Sequence, residues 1–358
     1  MTDAGMIRKV LCVVSIAAHV AAAGMLPRAL TRLSYPATQP SAPVQTFAAS
    51  DFALHLQGET GEAAQWLKMF DLPPQPFDYT MQLVEDDENL QVYRLVYASP
   101  FKSPFPQNNI VPAEYYVPKD RAGKIPAAIV LDIMYGNSVV PRGLARGLAA
   151  QGVAALYMPM AYYNSRRPKD NAHIRWMDED PTRAIEPPRQ TVMDIRRAKA
   201  ILASREEVDP TRIGITGVSL GGIMTSLAAG IDGSFYRVVP ILAGGDVADM
   251  IFHAPETRRV MEKLLAKGID QEKLEPVMGP VEPLSFASRI DPRTCLMINA
   301  SKDEVIPKNC TMDLWNAIGK PTLLWLPSGH YTAAWYLPTI KQTAIDFLKG
   351  LPVKRLEF

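Results

Sequence analysis

The chain is 358 residues long, 47% hydrophobic and 21% charged, a composition that can bury a large core and excludes an intrinsically disordered polymer. Its 38 Lys and Arg against 37 Asp and Glu leave a net charge of +1, without the basic excess that a nucleic-acid surface requires. Three Cys with no C-x-x-C exclude a zinc finger or a thioredoxin-type motif.

Residues 6–24 open with the basic pair Arg8-Lys9, pass through an apolar run at 10–20 and reach Ala21-Ala22-Ala23. That is the layout of a secretory signal peptide cleaved after Ala23. The run is shorter than the about 20 apolar residues of a membrane span. The expected organisation is a signal peptide at 1–23, a Pro/Ser/Ala-rich linker with a short helical segment at 24–78, and one folded domain at 79–358. Export would permit a disulfide between Cys295 and Cys310, although two unpaired, buried thiols are the simpler expectation.

Residues 34–50 are rich in Pro, Ser and Ala and read as linker or extended tail. Residues 62–70 form a short helix stopped by Pro73-Pro74-x-Pro76. Two β-rich runs, 90–97 and 110–117, flank the turn-forming stretch F-K-S-P-F-P-Q-N-N. Residues 127–131, A-A-I-V-L, are wholly apolar, as a strand covered on both faces must be. Helix 144–150, strand 153–157, helix 191–204, strand 212–216 and helix 220–229 follow. Strands 237–242, 294–299 and 322–326 and a closing helix at 339–348 complete the chain. Apolar residues at 192, 195, 198, 201 and 202 give the second helix its single buried face. Such alternation predicts an α/β fold with a mostly parallel sheet flanked by helices. Residues 249–285 interrupt it as a helical insertion, the natural cap over a site.

The chemistry centres on Gly217-Val218-Ser219-Leu220-Gly221. A strand enters this G-x-S-x-G and a helix leaves it, so Ser219 projects from a sharp elbow as a nucleophile; a helix-capping Ser is the plain alternative. On such a sheet the chain order is Ser, acid, His. Only His253 and His330 follow Ser219. His330, in P-S-G-H-Y after the last strand, is placed where ligands bind; His253 lies inside the insertion. Asp303, in N-A-S-K-D-E-V-I-P after strand 294–299, is the acid that would orient the imidazole, with Glu304 as its neighbouring rival and Asp246 and Asp249 next. An oxyanion hole needs two backbone N–H donors. Leu220 is one, and Met134 in the loop D-I-M-Y-G-N-S is the other, with Tyr135 as its rival. Tyr135, Tyr162 and Tyr331 are candidate pocket residues, as are Tyr163 and Trp335. No metal or organic cofactor is called for.

Residues 208–222, V-D-P-T-R-I-G-I-T-G-V-S-L-G-G, resemble the nucleophile region of the dienelactone-hydrolase and prolyl-oligopeptidase-like branch of the α/β-hydrolase superfamily. S-K-D-E-V-I-P resembles its acid loop, G-H-Y its His loop, and L-D-I-M-Y-G-N its oxyanion loop. The resemblance runs from about Tyr79 to the C-terminus, about four-fifths of the chain. It implies an α/β-hydrolase fold with a helical cap and a triad of Ser219, Asp303 and His330. Dienelactone hydrolases proper carry Cys at the elbow, where this chain has Ser219, so the implied activity is that of a serine carboxylesterase. It would act on a small-molecule ester through an acyl-enzyme. A serine peptidase of the prolyl-oligopeptidase-like type is the alternative, disfavoured by the lack of a propeller-length segment ahead of residue 79. A non-catalytic hydrolase-fold binding protein is the alternative of another class, and the presence of all three triad residues tells against it. The acyl and alcohol groups and the oligomeric state stay open.

Overall fold

A computed structural model describes residues 42–56, 60–134, 138–168 and 180–353. The expected signal peptide and Tyr135 lie outside the described residues, as does the first part of the Pro-rich stretch. The described chain builds one ten-stranded sheet from β1 (Gln45–Ser50), β2 (Pro76–Asp86), β3 (Leu90–Ala98), β4 (Ile110–Pro118), β5 (Ile125–Leu131), β6 (Ala154–Met158), β7 (Val208–Val218), β8 (Val238–Ile241), β9 (Leu296–Ala300) and β10 (Thr322–Leu326). Their spatial order is β1-β2-β3-β4-β6-β5-β7-β8-β9-β10. Pairing is antiparallel from β1 to β4 and between β4 and β6. From β6 to β10 every pairing is parallel.

Strand β5 shows why the sheet takes this form. All seven of its residues are buried. Ala127, Ile129 and Leu131 enter one hydrophobic core, with Val192, Ile195 and Ile201 of helix Glu186–Ser204 and Ile223 and Leu227 of helix Leu220–Asp232. Ala128 and Val130 enter the opposite core, with Leu144 and Leu148 of helix Val139–Ala149 and Ile340 and Ile345 of helix Leu337–Leu348. The period-2 alternation of a strand thus feeds two cores, and helices must cover both faces. The chain leaves β5 for β6 on one side and returns to β7 on the other. That reversal opens a crevice at the carboxyl ends of β5 and β7, the usual ligand position in such sheets.

Residues 45–78 correct the linker expectation. Gln45–Ser50 forms β1, registered on β2 from Gln45↔Met81 to Ser50↔Pro76. The helix Gly61–Leu67 continues as a 3₁₀ turn to Phe70, and Leu67 and Phe70 are fully buried. Strand β2 and helix Lys308–Ile318 also lie beyond the sequence expectation. The Q-T-F-A-A-S run of β1 has no apolar pattern of its own, so its pairing depends on β2. Cys295 and Cys310 are both buried and unbridged. Between β8 and β9 lie the helices Val247–His253, Arg258–Ala266 and Gln271–Met278, the helical insertion read at 249–285. Glu282 ties this segment down by accepting from the N–H groups of Asp246, Val247 and Leu284. Among the described residues no helix is long and apolar enough to cross a membrane.

The N-terminal segment is fastened by buried charges on helix Glu186–Ser204. Arg197 donates to both carboxylate oxygens of Asp51 and to the carbonyl of Ala98. Arg196 donates to the carbonyls of Phe70 and Phe52. The side chains of Arg197 and Asp51 are 6% and 0% exposed, so neither charge has water to fall back on. Asp51→Ala should therefore destabilise the protein by about 3–5 kcal/mol in urea unfolding. The double variant Asp51→Leu with Arg197→Met should recover most of that loss; equal stability of wild type and Asp51→Ala would show that the pair does not fasten the segment.

Candidate active site

Strand β7 delivers Ser219 directly into helix Leu220–Asp232. The turn is sharp enough to force Ser219 to φ 56°, ψ −120°, a region that an L-residue occupies only under constraint. Two close approaches impose it. A Cβ on Gly217 would lie 2.5 Å from the backbone of Gly221, and one on Gly221 would strike the carbonyl oxygen of Asp132. The N–H of Ser219 donates to the carbonyl of Ile241 at 2.9 Å, pinning the elbow to β8.

Three separate strand ends meet at this elbow. His330 Nε2 stands 2.9 Å from Ser219 Oγ. His330 Nδ1 stands 2.9 and 3.0 Å from the two carboxylate oxygens of Asp303. A carboxylate only accepts, so Nδ1 carries the ring proton and Nε2 is left to accept from the Ser219 hydroxyl. Asp303 Oδ1 also accepts from the N–H groups of Val305 and Ile306, which fixes the carboxylate's orientation. The side chains of His330 and Asp303 are 9% and 4% exposed, a setting of low dielectric. Glu304 has a different partner, accepting from the backbone N–H of His330 at 2.9 Å. It therefore holds the His loop in place. His253 stays on the insertion, 60% exposed, with Nδ1 3.0 Å from Asp249. Asp246 caps helix Val247–His253 by accepting from the N–H of Asp249.

The cavity beside Ser219 is walled by the apolar side chains of Met134, Leu220, Ile223, Met250, Val305 and Ile306, together with Ala254, Glu256 and Thr257. Leu220 is the first residue of its helix, so its N–H has no intrahelical acceptor. Met134 and Leu220 thus share one cavity with the Ser219 hydroxyl. Tyr331 lies behind that wall, its ring edge-on to His330 with centroids 5.6 Å apart and its hydroxyl donating to Glu256. Tyr162 does not line the cavity. Its backbone takes φ 67° and its ring packs edge-on against Phe105.

Asp132 is a member of the site that the sequence expectation missed. It directly follows β5, is fully buried, and its carbonyl lies against the elbow at Gly221. Its Oδ1 accepts from the N–H of Ile133 at 3.0 Å and its Oδ2 accepts from the Asn164 amide. Burial pushes its carboxyl up to about 7, against partial relief from the Ile133 N–H, the Arg142 charge and the Tyr157 hydroxyl. A charged residue directly ending a wholly apolar strand was the one available sequence signal. Glu256 had none, because the insertion's packing alone brings it to Ser219.

The model of the family described as "Alpha/beta hydrolase domain containing 18" matches residues 54–252. That of the prolyl oligopeptidase family matches residues 186–322. An uncharacterized protein of Mycobacterium tuberculosis is 29% identical over 150 residues, 39% of this chain and 33% of its own length. The chain thus spans about a third of the length of the curated relatives it matches. The acetyl xylan esterase from Paenibacillus sp. R4 aligns with a TM-score of 0.65 at 22% identity, covering 84% of this chain and 98% of that one. Acetyl xylan esterase 1 from Thermoanaerobacterium sp. JW/SL YS485 aligns with a TM-score of 0.61 at 18% identity, covering 82% and 96%. At these identities the likeness is one of fold.

The raised Asp132 carboxyl has a consequence for stability. In the unfolded chain it ionises near 3.8, in the folded one near 7. Its proton is held by the native state alone between those values, so its favourable contribution is complete below about pH 4 and is lost as pH rises through about 7. Asp132→Asn keeps the shape and cannot ionise. Its unfolding free energy should gain on that of the wild type by up to about 1.4 kcal/mol per pH unit from pH 5 to 7, then level off. Urea unfolding of both proteins at pH 5, 6, 7 and 8 measures this; parallel curves would place the Asp132 ionisation elsewhere.

Proposed function

This chain belongs to the family described as alpha/beta hydrolase domain containing 18, and from that premise we propose that it is an exported serine carboxylesterase. The observation that carries the reading is the continuous hydrogen-bonded series Asp303–His330–Ser219, ending at a strained elbow beside an apolar cavity. Ser219 Oγ attacks the ester carbonyl carbon as its proton passes to His330 Nε2. Asp303 holds the Nδ1–H and stabilises the imidazolium that forms. The tetrahedral oxygen receives the N–H groups of Leu220 and Met134. The intermediate collapses, the C–O bond to the alcohol breaks, and His330 returns its proton to that alcohol. Water then attacks the acyl-enzyme, its proton taken by the same Nε2, and the carboxylic acid leaves as Ser219 regains its hydrogen. The acetyl xylan esterases of like fold support a short acyl group, in keeping with the apolar, side-chain-crowded wall formed by Met250, Val305 and Ile306.

The match of residues 186–322 to the prolyl oligopeptidase family favours a second reading, peptide cleavage by the same triad. Turnover of p-nitrophenyl acetate against peptide p-nitroanilides separates the two. On the esterase reading Ser219→Ala should fold normally, lose fluorophosphonate labelling, and lose activity by about 10⁴-fold or more. Asp303→Asn should lower kcat by a similar order, since an amide at that position admits the wrong imidazole tautomer. Wild-type turnover in a folded Ser219→Ala protein would remove the mechanism, and a folded wild type with neither turnover nor labelling would favour a binding protein.

Export is part of the proposal and rests on Arg8-Lys9, the apolar run at 10–20 and the alanines at 21–23. N-terminal sequencing of protein from its own host should begin near Gly24. A chain retaining Met1 or Met6 would contradict it.

A further inference from the structure

The wall of the Ser219 cavity contains two polar side chains besides the nucleophile, Glu256 and Thr257. Thr257 is spent internally, its hydroxyl 3.1 and 2.8 Å from the carbonyls of Met250 and Ala254. Glu256 is spent only in half. Its Oε1 accepts from the Tyr331 hydroxyl, whereas its Oε2 is buried and has no hydrogen-bond partner. A buried carboxylate oxygen without a donor is costly, and one in the wall of a cavity can be satisfied by a donor on a bound ligand. The remaining wall is apolar and offers no donor side chain. A hydroxyl from a ligand would satisfy the hydrogen bond and leave the charge uncompensated. An ammonium group would satisfy both.

Resting on the esterase reading, we propose that Glu256 is a specificity-determining residue that selects esters carrying an ammonium group close to the scissile carbonyl and rejects those carrying a carboxylate there. Tyr331 positions this carboxylate. Its ring stands against His330 while its hydroxyl holds Oε1, which leaves Oε2 as the oxygen without a donor. The subsite thus spans two parts of the fold, the insertion that carries Glu256 and the His loop that carries Tyr331.

The test compares kcat/KM at pH 7 for esters of matched shape. On the acyl side these are β-alanine ethyl ester, ethyl butyrate, ethyl 3-hydroxypropionate and monoethyl succinate. On the alcohol side they are 2-(dimethylamino)ethyl acetate, protonated at pH 7 and so carrying an N–H donor, and its neutral isostere 3-methylbutyl acetate. The wild type should favour the ammonium ester over its neutral isostere by about tenfold in one of the two series, and should disfavour monoethyl succinate by a similar factor. In Glu256→Gln both ratios should fall toward one. Ratios within a single protein do not depend on how much of it is folded or active. Neutral esters turned over without any charge preference in the wild type, or a preference that survives Glu256→Gln, would overturn the assignment while leaving the esterase reading standing. A preference for the hydroxy ester over the ammonium ester, lost in Glu256→Gln, would make the recognised group a hydroxyl and the cationic assignment wrong. A folded wild type that hydrolyses none of the neutral esters would remove the esterase reading, and this proposal with it.

Discussion

The site depends on one strained residue. Ser219 at φ 56°, ψ −120° occupies a conformation of the kind that costs about 1–3 kcal/mol, and the surrounding backbone leaves it no alternative. Gly217 and Gly221 let two segments of backbone approach within the space of a methyl group. The carbonyl of Asp132 closes on the same turn from β5, and the Ser219 N–H is tied to β8. Relaxing the elbow would turn Oγ away from His330 and out of the cavity shared with Met134 and Leu220. The placement of Ser219 against His330 and beside Met134 and Leu220 therefore depends as a whole on the packing of β5, β7 and β8.

Charge is buried in two different ways. Along helix Glu186–Ser204, Arg197 meets Asp51, Lys199 meets Asp232, and Arg166 meets Asp194 from the neighbouring turn. These pairs neutralise each other, and the pair with Asp51 specifies where the N-terminal segment docks. Near Ser219 the pattern changes. Asp132 is buried with the Ile133 N–H, the Asn164 amide and the Tyr157 hydroxyl around it and a carboxyl pushed up to about 7, and Glu256 keeps one oxygen without a partner. Polar groups left incompletely compensated beside a strained residue are what a site retains when its function requires more than stability.

Much of this was legible in the sequence because each signal was local. The wholly apolar run at 127–131 is an unambiguous mark of a strand buried on both faces, and it is β5. The G-x-S-x-G elbow requires only a strand before it and a helix after it, and both stand where the sequence put them. Asp303 and His330 were singled out because each follows a strand at the sheet edge, and the fold brings both to Ser219. The two antiparallel runs 90–97 and 110–117 and the closing helix carried their own patterns and fall within β3, β4 and Leu337–Leu348.

What tertiary structure alone decided was direction and partnership. Asp303 and Glu304 are adjacent in the chain, and only the loop's turn sends one carboxylate to the imidazole ring and the other to the backbone N–H of His330. Tyr162 looked like a pocket residue until its left-handed backbone aimed the ring at Phe105. Residues 45–50 have no strand pattern and become β1 because β2 offers a free edge. Asp132 and Glu256 gain their unusual surroundings from segments far away in sequence, the elbow and the His loop. The sequence by itself determined periodicity, elbow and strand ends, because those follow from neighbouring residues. Which side chain faces which is a property of the assembled layers, and burial and charge at the site exist only once those layers have closed.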